Sequence, residues 1–164
     1  MSVDCVLADM YDRILLPTDA EKGAELATEH AITVAESTGA ELHLLYVVDS
    51  DVYSSYTGDE YVHEFEGLES ALEQIGEDAL EAAADAARDA GLEPTTAVRH
   101  GTPHEEVLAY ADDEAVDVIV MGSKERPGEY RQLLGSVTER VSRLASRPVT
   151  IVKTPVAGAD DANR

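Results

Sequence analysis

Residues 116–141 read VDVIVMGSKERPGEYRQLLGSVTERV: a β-branched apolar run, a glycine-punctuated loop, then an amphipathic segment. The opening run shows little apolar/polar alternation, which suits a strand covered on both faces and so a parallel sheet between helices. Four more short apolar runs lie at 14–16, 42–48, 95–98 and 149–152, with longer segments of helical period between them. Five strands alternating with helices predict a single doubly wound α/β domain: a five-stranded parallel sheet with helices on both faces.

The helical segments carry faces and ends. Ala24, Ala27, Ala31, Val34 and Ala35 line one side of the first, and Gly39 is placed to close it in a left-handed cap. Leu68, Leu72, Ile75, Ala79, Ala83 and Ala86 form a stripe on the second, which Gly91 ends. Thr102, Pro103 and Glu105 read as a capping box with proline at the first helical position, and Ser136 with Glu139 repeats the pattern before Val137, Val141 and Leu144. Residues 49–66, with Tyr53, Tyr56, Tyr61 and Phe65, read as a connection, either a plain surface loop or a lid. The domain is expected at 10–154. Residues 1–9 are expected to be an N-terminal extension, with the native start at Met10, and 155–164 are expected to be a flexible tail.

A length of 164 residues fits one domain. Twelve Lys and Arg against 34 Asp and Glu give a net charge of −22, which argues against nucleic-acid and anionic-membrane partners, since both draw affinity from basic residues. Lysine occurs only at Lys22, Lys124 and Lys153, and so much surface carboxylate suits a salt-rich cytoplasm, where screening relieves self-repulsion; a halophilic, haloarchaeal source is the expectation. Cys5 is the only cysteine, so neither an intrachain disulfide nor a cysteine-based zinc site can form. No window approaches the roughly 18 apolar residues of a membrane span, and the acidic N-terminal residues are unlike a secretory signal; the expected location is cytoplasmic.

In an open parallel sheet, ligands bind beyond the carboxyl ends of the strands where the winding direction reverses. The first and fourth strands are the natural pair, ending in Pro17-Thr18-Asp19 and Met121-Gly122-Ser123. Gly122, Gly128 and Gly135 permit close backbone approach, and Gly135-Ser136-Val137 opens a helix whose free amides can hold an anion. Residues 122–153 hold seven bases and three acids, a local +4 that favours a phosphate-bearing ligand, with Lys124 and Arg126 nearest the loop. Arg140, Arg143 and Arg147 read better as surface ion pairs. Neither G-x-x-x-x-G-K-[ST] nor a strand-following G-x-G-x-x-G is present. His100 and His104 are four apart but straddle a helix start, so no metal site is expected. No G-x-S-x-G elbow marks a nucleophile, and no catalytic residue is assigned.

The segments RILLPTD (13–19), LLYVVD (44–49), GTPHEEV (101–107), VDVIVMGS (116–123), LLGSVTERV (133–141) and RPVTIVK (147–153), in this order and spacing, resemble the universal stress protein family over essentially residues 11–154. The resemblance implies a Rossmann-like fold, ATP binding in some members, and homodimerisation commonly through the last strand; the cofactor expected here is ATP, with Mg as an optional companion. Pro17, Thr18, Asp19 and Val47 match the side that receives adenine and ribose; Met121, Gly122, Gly135, Ser136 and Val137 match the side that holds ribose and phosphates, and Lys124, Arg126 and Gly128 flank it. Thr18 or Asp19 can equally cap the first helix, and Ser136 the last. Glu125 departs from the pattern, standing where the family has its second glycine, and its charge beside the phosphates predicts weakened or altered nucleotide binding. The expected function is regulatory adenine-nucleotide binding in a stress response, without enzymatic activity. The alternative is a dimeric interaction module of the same fold that has lost nucleotide. Slow ATP hydrolysis would have only Asp19 or Glu125 as candidate bases.

Overall fold

The computed structural model describes residues 10–19, 24–50, 62–123 and 135–153. Five strands, β1 (Arg13–Thr18), β2 (Glu41–Asp49), β3 (Thr95–Gly101), β4 (Val118–Gly122) and β5 (Val149–Val152), alternate with four helices, α1 (Ala24–Thr38), α2 (Val62–Asp89), α3 (Pro103–Asp113) and α4 (Ser136–Leu144). The sheet order is β3-β2-β1-β4-β5, and every neighbouring pair is parallel.

Crossovers between parallel strands are right-handed, so connections running in opposite directions along the sheet lie on opposite faces. From β1 the chain steps outward to β2 and β3, then returns past β1 to β4 and β5. The result is α1 and α2 on one face and α3 and α4 on the other. Side chains alternate accordingly: Ile14, Leu16, Leu42, Leu44, Val118 and Val120 pack with Ala27, Ala31, Leu80 and Ala84, whereas Leu15, Leu45, Ile119 and Met121 pack with Val107, Tyr110 and Val141. Both faces of the three central strands β2, β1 and β4 are largely buried, which is why their sequences carry little alternation.

Gly39 and Gly91 close α1 and α2 at φ of 70° and 86°, in the left-handed region where a β-carbon is costly. The start of β1 is held by the Asp117 carboxylate, which accepts from the backbone amides of Asp12 and Arg13 at 2.7 and 2.9 Å. Thr102 stands at the N-cap of α3 and Pro103 at its start, but the threonine side chain makes no cap hydrogen bond, so no capping box forms; the Thr102 carbonyl accepts from the Glu106 amide instead. The other expected box fails differently: Gly135 is the N-cap of α4, and Ser136 and Glu139 both lie inside its first turn.

Two expectations for α2 shift. The helix already covers 62–66, so the connection is shorter than its composition suggests, and the lid reading falls on 51–61, outside the described residues. Its core face is Gly76, Leu80, Ala83, Ala84 and Ala87, while Ile75 is 49% exposed. The cause is a close approach: a β-carbon at position 76 would lie 2.1 Å from Cδ1 of Tyr46, so the bare glycine lets the helix settle on the tyrosine ring and turns the expected stripe partly outward. Leu144 of α4 is likewise 59% exposed, while Thr138 and Val141 face inward.

Candidate functional site

Between β1 and β4 the outgoing connections run in opposite directions, and a crevice opens beyond their carboxyl ends. Its volume is about 300 Å³, at the lower end of ligand-binding clefts. Pro17, Thr18 and Asp19 come from the end of β1, Val47 from β2, Met121 and Gly122 from β4, and Gly135, Ser136 and Val137 from the start of α4. The fold thus brings these nine sequence-predicted positions to one cavity. Lys124, Arg126 and Gly128, with Glu125, lie outside the described residues, as do residues 1–9 and the whole of 155–164.

The walls differ in chemistry. Leu45, Val47, Pro103, Val107 and Met121 form an apolar side. Asp19 and Asp49 add carboxylates at the ends of β1 and β2, and the N-terminus of α4 supplies a further part of the lining. No side chain caps that terminus among the described residues, so the first-turn amides and the positive end of the helix dipole face the crevice. The corner is fixed by Thr138, a buried residue whose Oγ1 donates to the Gly122 carbonyl at 3.1 Å, tying the first turn of α4 to the end of β4. Ser123, also buried, donates its amide to the Val152 carbonyl at 2.9 Å and carries the ledge onto β5. At Gly122 the nearest atom to an added β-carbon would be Ala27 Cβ at 3.6 Å, so the glycine chiefly keeps the crevice floor low.

Sequence reasoning missed several lining residues: Thr28, Tyr46, Asp49, Pro103 and Thr138 all border the cavity. Asp49 closes the LLYVVD segment and was within reach of the motif reading. Pro103 arrives from another crossover and carried no local signal.

Burial, and after it the charge of Asp19, holds the Tyr46 phenol above its ordinary value of 10.0. Tyr110, on the opposite face, is raised by burial and then by Glu114, with Arg99 opposing. A raised folded value means the folded chain keeps its phenol protons where the unfolded chain has lost them. Stability is therefore fully present below the unfolded value and falls as pH rises through the folded one. We expect urea midpoints to drop above about pH 10, less steeply in Tyr46→Phe; a series of denaturation curves through the alkaline range checks this.

Of the three arginines expected in surface ion pairs, Arg143 pairs with Glu139 and Arg147 with Asp112 at 2.7 Å. His100 is met by Glu73, from α2.

A doubly wound parallel sheet with a partly apolar crevice and a helix N-terminus at its switch point, the place where ligands bind in such sheets, defines a small α/β domain of the open-sheet kind. The profile of the universal stress protein family matches residues 10–153, and the chain belongs to that family. Universal stress proteins MJ0531 and MJ0577 of Methanocaldococcus jannaschii are each 35% identical to it, over 90% and 88% of this chain and 85% and 96% of their own lengths. The solved structure of MJ0577 superposes with a TM-score of 0.76 at 32% identity, covering 90% of this chain and 99% of the other. A universal stress protein of Archaeoglobus fulgidus in complex with dAMP shares the fold, with a TM-score of 0.65 at 21% identity over 88% of this chain and 99% of that one. No helix among the described residues is long and apolar enough to cross a membrane.

Proposed function

We propose that this universal stress protein is a regulatory adenine-nucleotide-binding protein, with ATP, accompanied by Mg²⁺, as ligand in the β1–β4 crevice. One observation carries the reading: a carboxylate and a helix N-terminus that has no side-chain cap among the described residues line one partly apolar cavity at the switch point. The residues fit the ligand's parts. The apolar side suits a base, Asp19 can accept from ribose hydroxyls or an adenine amine, and the amides of Ser136, Val137 and Thr138 with the Ser136 hydroxyl can donate to phosphate oxygens. Lys124, Arg126 and Gly128 belong to the same assignment from sequence. The Archaeoglobus protein bound to dAMP supports the ligand class by analogy of fold. In this reading the bound nucleotide acts as a signal.

The second part of the proposal is a homodimer. β5 is a sheet edge, and Val149, Thr150, Ile151 and Val152 are all only partly covered. Pairing β5 with its copy would cover these side chains and the open backbone groups.

Titrating ATP into nucleotide-stripped, full-length protein at high salt tests the nucleotide, with an expected dissociation constant roughly in the micromolar range. Absence of saturable binding for ATP, ADP and AMP at millimolar concentration overturns it. A monomer mass by light scattering at high salt refutes the dimer.

A further inference from the structure

His100 lies at the C-terminal end of β3, paired in register with Val48 of β2. Its Nε2 is 2.6 Å from Oε1 of Glu73 and 3.7 Å from Oε1 of Glu69. The two glutamates stand one turn apart on α2, so both carboxylates fall on the helix face that meets the strand end. One ligand atom from each of the three side chains lies within 4.8 Å of the others. We propose that Glu69, Glu73 and His100 form a binding site for a divalent transition-metal ion of the zinc type, joining α2 to the end of β3.

The first argument is charge. Arg88, Arg99 and Arg147 compensate other surface carboxylates: Glu81 and Asp85, Glu106 and Asp113, and Asp112. A guanidinium is permanently charged and has no lone pair to offer a metal. Glu69 and Glu73 instead converge on an imidazole, which can carry a lone pair. In a chain of net charge −22, two adjacent carboxylates attract a dication, and the ring nitrogen gives it a third ligand.

The donor set selects the ion. One imidazole nitrogen and two carboxylate oxygens suit Zn²⁺ and its first-row neighbours, whereas Ca²⁺ and Mg²⁺ prefer oxygen throughout. Bonds of about 2.1 Å in a tetrahedral site put ligand atoms about 3.4 Å apart, between the 2.6 and 3.7 Å seen here, so small side-chain rotations close the site. Binding directs the Nε2 lone pair to the ion and leaves the ring proton on Nδ1. The side chains are 35–40% exposed, leaving a path of entry and room for water as a fourth ligand.

The backbone is already set. One turn beyond Glu73, Gly76 rests on the Tyr46 ring, and β2 carries that position across to β3 through the Val48–His100 register. Helix and strand are thus held in place before an ion arrives, and such a link stabilises the fold by mass action.

The test is calorimetric titration of ZnCl₂ into chelator-treated, full-length protein without nucleotide, so its outcome is separate from that of the ATP titration. One zinc per chain is expected, with affinity falling about tenfold or more in both His100→Gln and Glu73→Gln and unchanged in His104→Gln. Circular dichroism of the zinc-free variants confirms that the fold is retained, as the exposure of these side chains leads one to expect. Absence of saturable zinc binding, or wild-type affinity in His100→Gln, overturns the proposal.

Discussion

Ser136→Glu is expected to abolish tight ATP binding while leaving the protein as stable as before, or slightly more so. Ser136 is exposed at the first position of α4, so the substitution removes no packing. An acidic residue in a first turn interacts favourably with the helix dipole, by about 0.3–1 kcal/mol. The same carboxylate would lie where the nucleotide reading places phosphate. A like-charge contact near a protein surface at about 4 Å costs up to about 4 kcal/mol, and a loss of at least about 100-fold in affinity follows. Ser136→Lys is expected to do the reverse, costing a few tenths of a kcal/mol in stability while retaining or raising affinity. ATP titrations and urea denaturation of both variants separate the two effects. Binding in the glutamate variant equal to wild type would remove phosphate from this corner.

The second large effect is on stability. Gly76→Ala is expected to destabilise the fold, although alanine is the better helix former by about 1 kcal/mol. Its methyl would stand 2.1 Å from Cδ1 and 2.4 Å from Cε1 of Tyr46, far inside van der Waals contact. The ring cannot swing into open solvent, being 7% exposed between α2 and the crevice. Either the helix lifts or the ring shifts, and overpacking of this kind costs about 1–3 kcal/mol or more. Set against the propensity gain, the net loss for alanine reaches about 2 kcal/mol, and Gly76→Leu exceeds it. The urea midpoint should fall with an unchanged slope, and a double-mutant cycle with Tyr46→Ala should return part of the loss through a coupling term. A more stable Gly76→Ala would show that helix propensity, not contact with Tyr46, governs this position.

The two residues illustrate what was legible. At Ser136 the glycine before it and the valine pattern after it placed the helix start within one residue. The cap itself was misjudged, because Ser-x-x-Glu fits an N-cap at 136 as well as a first turn beginning there. At Gly76 nothing local distinguishes a glycine tolerated in a long helix from one required by a neighbour, and Tyr46 is 30 residues away in sequence. Periodicity alone therefore set the α2 face on Ile75 and Ala79, partly beside the true one of Gly76, Leu80 and Ala84. His100 is a similar case: spacing drew attention to His104, four residues on, while the contact that forms is with Glu73, 27 residues earlier.

The strands, their parallel sense, the layered arrangement and the pairing of β1 with β4 followed from sequence alone, because an unbroken apolar run can be buried only between two covering layers and crossover handedness then permits few topologies. Which residues from separate crossovers meet was decided only by tertiary structure: Pro103 at the crevice, Thr138 on the Gly122 carbonyl, Glu69 and Glu73 on His100. Periodicity reports which way a side chain points from its own element. What it touches depends on how closely and at what angle two elements pack, and here a missing β-carbon on α2 helped set that distance.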